Sequence, residues 1–193
     1  MFGQKRGASV SHWSVAVIAS CLVIGLSGCV SEEVRDPSLT SSPAGDNSFF
    51  ASDDEALMAG VDGYNAYLKV SDEITAGGGA GGERIKPFVS EELLPSFVEG
   101  YESLSRRQIR SVGSTQIDSE RLQTWSAKDG VATVSFYVCV DVSQVRIIDA
   151  TGNDVTPAER ALRTPIVATV NVSDSTESHV LTGNEPWSGE SFC

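Results

Sequence analysis

The stretch Val131–Val142, VATVSFYVCVDV, has the best-defined strand pattern of the chain, because apolar side chains occupy every even-numbered position. Successive side chains of a strand point to opposite faces of its sheet, so this pattern predicts one buried face and one more polar face. The preceding Asp129-Gly130 is a dipeptide that type I′ hairpin turns favour. It predicts an antiparallel partner strand directly upstream, over Gln116–Trp125.

Further strands are predicted downstream. The apolar pattern continues through Val145 and Ile147, residues 166–172 alternate again, and His179–Thr182 forms a last short strand. Between them, Thr156-Pro157-Ala158-Glu159 has the spacing of a capping box with proline at the first helical position, which predicts a short helical turn.

Two helices are predicted before the strands. The first covers Ser52–Asp72, because Ser52 and Glu55 form a capping box. Behind the cap, apolar residues recur at helical spacing and form one stripe: Leu57, Val61, Tyr64 and Leu68. Gly60 and Gly63 interrupt this stripe and would allow a neighbouring element to approach closely.

The second predicted helix covers Ser90–Arg110, with Pro95 separating a short first turn from the rest. Its end is basic, with Arg106, Arg107 and Arg110 suited to the negative pole of a helix dipole. The glycine-rich segment 76–82 between the helices is interpreted as a flexible connector. A phosphate-binding loop is the disfavoured alternative, since no Lys-Ser/Thr pair follows it.

The N-terminal segment has the organisation of a secretion signal. Lys5 and Arg6 supply positive charge, and the apolar run 15–25 is much shorter than the ~20 residues of a membrane-spanning helix. Leu26-Ser27-Gly28-Cys29 resembles a bacterial lipobox, in which a peptidase cuts before a cysteine that carries a diacylglyceryl group. The resemblance implies acylation of Cys29, with palmitate among the chains, and an anchor on the extracytoplasmic face of the cell membrane. The alternative is an ordinary cleaved signal that ends in cysteine by chance.

Three regions follow from these features: a signal peptide over 1–28, a disordered tether over 29–50 and a folded domain over 51–193. The tether is rich in Ser, Pro and acidic residues and lacks apolar periodicity. Phe49 and Phe50 mark where the chain is expected to meet the fold.

The chain without its signal is strongly acidic. It keeps 12 basic and 26 acidic side chains, a net charge of −14. Nucleic acid is excluded as a partner, because phosphate neutralisation needs clustered Lys and Arg. The acidic balance suits solubility at a cell surface, and recognition of a cationic partner is the alternative.

Two cysteines remain for the folded domain, Cys139 and Cys193, in a compartment where disulfides persist. A bond between them would close a loop of about 55 residues and stabilise the fold by about 3–4 kcal/mol in the chain-entropy model. Because Cys139 lies on the less apolar face of its strand, we expect the C-terminal segment to cross that face. Two free thiols are the alternative.

Helices before antiparallel strands, with Trp125 and Trp187 near strand ends, predict an α+β fold and resemble an NTF2-like (SnoaL-type) domain. With the lipobox and the C-terminal cysteine, the chain resembles a small actinobacterial surface lipoprotein of that fold. The resemblance implies a cone in which two N-terminal helices pack on a curved antiparallel sheet.

The same resemblance draws attention to an acid and a tyrosine inside the cone, the groups by which ketosteroid isomerase and related enzymes act. No pair in this sequence combines an apolar setting with suitable spacing, and Tyr64 is expected to pack in the core with its hydroxyl hydrogen-bonded. The candidates are Tyr64, Tyr67, Tyr101 and Tyr137 together with Asp62, Asp72 and Asp141.

The sequence contains no group of residues with the spacing of a metal site. His179 is the one histidine after the signal and is expected to be exposed, and Cys139 and Cys193 are too far apart for a zinc knuckle. Segment 149–154 lacks the spacing of a calcium loop and is interpreted as a hairpin turn. The sequence therefore predicts no catalytic residue, no cofactor and no metal site.

We expect from these patterns a lipid-anchored, non-enzymatic envelope module that binds an envelope protein or a small apolar ligand. The alternatives are a small NTF2-like enzyme of isomerase or cyclase type and an accessory domain in cell-wall assembly.

Overall fold

A computed structural model describes residues 49–174 and 178–193 of the 193-residue chain. The predictions for the signal peptide, the lipobox with Cys29 and nearly all of the tether lie outside the described residues. The elements, in chain order, are helix α1 (Asp53–Ala76), a 3₁₀ segment (Gly82–Phe88), helix α2 (Leu94–Arg107) and strands β1 (Ile109–Val112), β2 (Gln116–Lys128), β3 (Val131–Asp141), β4 (Arg146–Asp149), β5 (Arg163–Ser173) and β6 (His179–Pro186).

Four strands form the main sheet, in the order β2-β3-β5-β6, with every neighbouring pair antiparallel. The hairpin predicted between β2 and β3 is confirmed. Asp129 and Gly130 have φ of 53° and 78°, the two positive values that a type I′ turn requires. The turn pairs Lys128 with Val131 and thereby fixes the register of the two strands.

One face of the main sheet carries the core. The even-numbered side chains of β3 from Ala132 to Val138 are fully buried, and so are Ala168 and Val170 of β5. The buried face that the alternating pattern predicted is therefore confirmed for both strands.

Helix α1 packs across this buried face. Its predicted N-cap is present, since the Ser52 hydroxyl accepts the Glu55 N–H at 3.1 Å. The helix runs four residues beyond the predicted end, and its buried face is rotated from the predicted stripe. The buried residues of α1 are Ala56, Gly60, Gly63, Tyr64, Tyr67 and Ile74, whereas Leu57, Val61 and Leu68 are half-buried and pack against the edge of the core.

The glycine-rich segment is a packed turn rather than a loose connector. Gly79 has φ 87°, and a Cβ there would lie 1.9 Å from the carbonyl oxygen of Tyr101 in α2. The Ser105 hydroxyl of α2 also donates a 2.7 Å hydrogen bond to the Gly78 carbonyl. The 3₁₀ segment that follows has no counterpart in the sequence prediction.

Helix α2 ends three residues earlier than predicted, because Gln108 takes a left-handed conformation with φ 53°. Arg110 therefore lies on β1, and the proposed role at the helix end is wrong for this residue. Pro95 lies in the first helical turn, after a separate turn at residues 91–93, as the sequence predicted.

Strands β1 and β4 form a second, two-stranded antiparallel sheet that the sequence did not predict. Strand β3 stops at Asp141, so Val145 and Ile147 do not extend it. The helical turn predicted at Thr156 forms no helix; residues 157–160 make one hydrogen-bonded turn, in which the Arg160 N–H donates to the Pro157 carbonyl at 3.4 Å. The Thr156 hydroxyl accepts the Ile147 N–H at 2.8 Å and donates to Asp154, which leaves no free N-cap.

The α+β class is confirmed, since the described part of the chain has three helical segments and antiparallel sheets. Phe50 is 7% exposed and its ring contacts the Trp125 ring edge-on at 5.3 Å, so the chain joins the core at this residue.

Candidate functional site

The second face of the main sheet carries the predicted cysteine pair. Cys139 on β3 is fully buried, and Cys193 lies beside it with a Cα–Cα distance of 5.6 Å. This separation is typical of a disulfide, and the two sulfur atoms are at disulfide distance. The C-terminal residues cross the less apolar face to reach Cys139, as the strand pattern predicted.

The C-terminal strap, Trp187–Cys193, is held on this face by further contacts. The Trp187 N–H donates to the Pro165 carbonyl at 2.8 Å. The rings of Trp187 and Phe192 both meet Tyr137 edge-on, at 5.2 and 5.9 Å. The strap is therefore fixed by packing as well as by the cysteine pair.

A groove of about 450 Å³ lies beside the strap, lined by aromatic rings that already have partners. The Arg121 guanidinium sits 4.9 Å above the Phe192 ring. Gly189 lies flat against the Trp187 indole, since a Cβ there would be 2.4 Å from the ring. Covered ring faces make this groove a weak candidate for ligand stacking.

The acids and tyrosines singled out in the sequence are used by the fold. The Tyr64 hydroxyl donates to Asn184 at 2.9 Å inside the core, as predicted, and burial raises the pKa of Tyr64. Tyr137 accepts a hydrogen bond from Gln123 on the second face. Asp141 is there too, bound by Arg163 at 2.9 Å.

Tyr67 and Asp72, in the C-terminal half of α1, lie closer to Tyr101 of α2. The Tyr101 hydroxyl donates to the Ser71 hydroxyl at 3.0 Å, and burial raises the pKa of Tyr67. Both oxygens of Asp72 accept from Thr115, one from its N–H and one from its hydroxyl, each at 2.8 Å. Among residues 49–174 and 178–193, no hydrogen bond joins a tyrosine to a carboxylate, and Asp62 is exposed.

The predicted turn at residues 149–154 is built around Asp149. Its carboxylate accepts hydrogen bonds from the Thr151 hydroxyl and the Asn153 N–H, at 2.8 and 2.9 Å. These bonds, that of Thr151 first, lower the pKa of Asp149 to about 2.

In the described part of the chain no group of three or more His, Cys, Asp and Glu side chains could hold a metal ion. His179 is half-buried against Gly63, which corrects the expectation of exposure.

The strongest candidate site is a cleft of about 260 Å³ where α1, α2 and the small sheet meet, called the basic cleft below. One wall is apolar, one is built from hydroxyls and two arginines flank the cavity. The residues that line it are Ser71, Asp72, Thr75, Leu104, Arg110, Ser111, Thr115, Val142, Val145, Ile147 and Arg160.

The hydroxyl wall of the basic cleft is already ordered. Thr75 and Ser111 share a 2.6 Å hydrogen bond between α1 and β1. Thr75 also donates to the Asp72 carbonyl at 3.1 Å, and Thr115 holds the Asp72 carboxylate. A ligand would therefore meet a wall whose side chains are held in place before it binds.

The arginines supply the free donors of the cleft. Arg160 is half-buried, and its Nη2 donates to the Val142 and Val145 carbonyls, at 2.9 Å to the first. Arg110 is exposed on β1. Within the described ranges, neither guanidinium has a carboxylate oxygen within 4.0 Å, so the cleft can offer hydrogen bonds and positive charge to a ligand.

Sequence reasoning missed this cleft because it depends on the pairing of β1 with β4. Both strands have only four residues, too few to show an alternating pattern. The sequence indicates Asp72, Tyr67 and Tyr101 as candidates, but it predicts Arg110 on a helix and gives no signal for Arg160.

Comparison with known proteins places the chain in no established family. No family model and no curated protein matches it. Among solved structures it is similar to the intermembrane space region of the chloroplast protein ARC6, with 8% sequence identity and a TM-score of 0.47. The match covers 66% of this chain and 93% of the other.

Among the helices that the structure describes, none is long and apolar enough to cross a membrane.

Proposed function

We propose that this protein is a lipid-anchored envelope module that binds a small molecule in the basic cleft, without catalysing its conversion. The observation that carries the proposal is the cleft itself, which is open while the space between α1 and the main sheet is filled by side chains. The central side chains there, Tyr64 and Phe136, are at most 1% exposed. Asp72, the acid of the cleft, already accepts two hydrogen bonds from Thr115, and this arrangement suits binding without catalysis.

The proposed address rests on the sequence. Leu26-Ser27-Gly28-Cys29 follows a short apolar run and two basic residues, the arrangement of a lipoprotein signal. Two acyl chains on Cys29 would give stable attachment to the cell membrane. The tether would then place the acidic domain outside the cytoplasm.

We also propose that the domain is NTF2-like. Two observations support this: a long helix packed on one face of a four-stranded antiparallel sheet, and glycines on that helix where it touches the sheet. A small enzyme of this class remains the second candidate, supported by the closeness of Tyr67, Tyr101 and Asp72 to the cleft. An enzymatic role would require Asp72 to break its hydrogen bonds with Thr115 and to bind a substrate instead.

Ligand binding can be mapped by NMR on the full-length protein with labelled Ile, Leu and Val methyl groups. We expect a library of small soluble compounds to shift the methyl signals of Val142, Val145 and Ile147. Ser111→Leu, which fills the cleft, should abolish these shifts, whereas Ser114→Leu, at an exposed position outside the cleft, should leave them. Shifts confined to other surfaces, or unchanged by Ser111→Leu, would contradict the proposal.

A further inference from the structure

We infer that the basic cleft selects a small organic monoanion, a carboxylate on a short apolar body. This inference rests on the proposed function and adds the class of ligand. Arg110 and Arg160 would bind the carboxylate, and Leu104, Val142 and Ile147 would contact the apolar part.

The charge of the cleft favours an anion. Two guanidiniums and one carboxylate line it, so its net charge is positive in a chain whose net charge is −12. The carboxylate, Asp72, is already held by two hydrogen bonds from Thr115. Asp154 is near enough to Arg160 for their opposite charges to interact. Its pKa is lowered mainly by the Thr156 hydroxyl, with Arg146 and Arg160 contributing less.

Arg160 is positioned before any ligand arrives. Its Nη2 is fixed by the Val142 and Val145 carbonyls, and an arginine side chain has five N–H donors in one plane. The remaining donors are held in a half-buried position with no carboxylate partner in the described part of the chain. The N–H groups on Nε and Nη1 remain to donate single charge-assisted hydrogen bonds to a carboxylate, whereas Nη2, which both two-donor edges of the guanidinium need, is already bonded.

The volume and the charge of the basic cleft further limit the kinds of ligand that it can bind. At about 260 Å³ the cleft lies just below the range of about 300–1,000 Å³ that holds drug-sized ligands, so its ligand is smaller. Half-buried Leu104, Val142, Val145 and Ile147 provide an apolar wall beside the arginines. Asp72 adds a negative charge to the lining, which disfavours a dianion such as phosphate.

The test is a titration of the full-length protein in neutral detergent, followed by the methyl signals of Val142, Val145 and Ile147. The probes are hexanoate, its uncharged analogue hexanamide, acetate and inorganic phosphate. We expect saturable binding of hexanoate and about tenfold weaker binding of hexanamide, the size of one charge-assisted hydrogen bond. Acetate, which lacks the apolar body, and phosphate should bind more weakly than hexanoate.

Arg110→Gln should weaken hexanoate binding about tenfold and leave hexanamide binding unchanged. The Arg110 side chain is exposed and makes no hydrogen bond with the described residues, and its backbone pairing with Ile148 does not depend on the side chain, so this variant should fold. Arg107→Gln, an exposed position on α2 outside the cleft, is the matched control and should bind like the wild type.

Equal affinity for hexanoate and hexanamide, or no effect of Arg110→Gln, would overturn the inference while leaving ligand binding in the cleft intact. Stronger binding of phosphate than of hexanoate would also overturn it. If none of the four probes shifts the cleft methyl signals, but other soluble compounds do, the ligand class alone is wrong. If no compound of any class shifts them, the proposed function fails as well.

Discussion

Gly60 and Gly63 set the distance between α1 and the main sheet. A Cβ at Gly60 would lie 2.9 Å from Val134 Cγ1, and one at Gly63 would lie 2.7 Å from the Cβ of His179. Both distances are shorter than the contacts that real Cβ atoms make. The opposing residues, Val134 and His179, belong to strands β3 and β6 of the sheet. The helix therefore approaches the sheet more closely at these two positions than any larger side chain permits.

Gly60→Ala should destabilise the protein, because overpacking a core costs about 1–3 kcal/mol and the gain in helix propensity is at most ~1 kcal/mol. Gly100→Ala is the matched control on α2, since a Cβ there would meet no atom within 4 Å. That variant should gain up to about 1 kcal/mol. Urea unfolding gives both free energies, and equal signs would contradict the packing described for α1.

Asp72 links the end of α1 to the start of β2 through Thr115. Asp72→Ala leaves the Thr115 N–H without its acceptor, so the free energy of unfolding should fall by about 1–3 kcal/mol. Asp62→Ala, on the same helix and exposed, should change it by less than ~0.5 kcal/mol. A similar small effect from both variants would show that the Thr115 bonds do not hold the cleft together.

Asp149 should titrate well below an ordinary aspartate, with a pKa of about 2 against 3.8. Because its folded pKa is depressed, its contribution to stability is complete above about pH 4 and is lost as the pH falls through about 2. Thr151→Val removes the largest cause and should raise the Asp149 pKa toward 3.8. The carboxyl carbon shift, followed by NMR against pH, measures it, and an unchanged midpoint in the variant would refute this origin.

At the scale of elements, the strands of the main sheet could be predicted because each shows a signal that depends only on its neighbours in sequence. Asp129-Gly130 sets the hairpin, and alternation along β3 and β5 sets their buried face. The face of α1 could not be predicted in the same way. Its contact residues include Gly60 and Gly63, which are not hydrophobic enough to mark a stripe, although they allow the closest approach to the sheet.

The second sheet and the cleft beside it depend on contacts between distant segments. Strand β4 pairs with β1 across more than thirty residues, with Ile109 opposite Asp149. Thr156 meets the pattern of a helix cap, yet its hydroxyl is used by Ile147 and Asp154. Local sequence patterns carry no information on such competition, so the sequence indicates the tyrosines and Asp72 as candidates but not the two arginines.

The strap is the element whose attachment can be tested by chemistry. Trypsin should release residues 129–146 and 164–193 as one linked pair under non-reducing conditions, because Cys139 and Cys193 lie in these two peptides. Cys193→Ser should lower the free energy of unfolding by about 3–4 kcal/mol. Phe192→Ala, which keeps both cysteines, is the control and should preserve the linked pair. Separate peptides from the unreduced wild type would contradict the bond.

The whole molecule combines an acidic folded domain with a proposed membrane anchor. The net charge of −12 disfavours a phosphate-rich partner, and the positive cleft is a local exception to this acidic surface. If Cys29 is acylated, the domain works at a surface, where a small-molecule site meets ligands outside the cytoplasm. The location and the binding site are separate proposals and can fail separately.

The most direct test of the central claim is mass spectrometry of the N-terminal peptide of the protein extracted from its membrane fraction. We expect a tryptic peptide over residues 29–35 that begins at Cys29 and carries a diacylglyceryl group, and we expect a Cys29→Ala variant to lose it. An N-terminus at any other residue, or an unmodified Cys29 thiol, would contradict the lipid anchor.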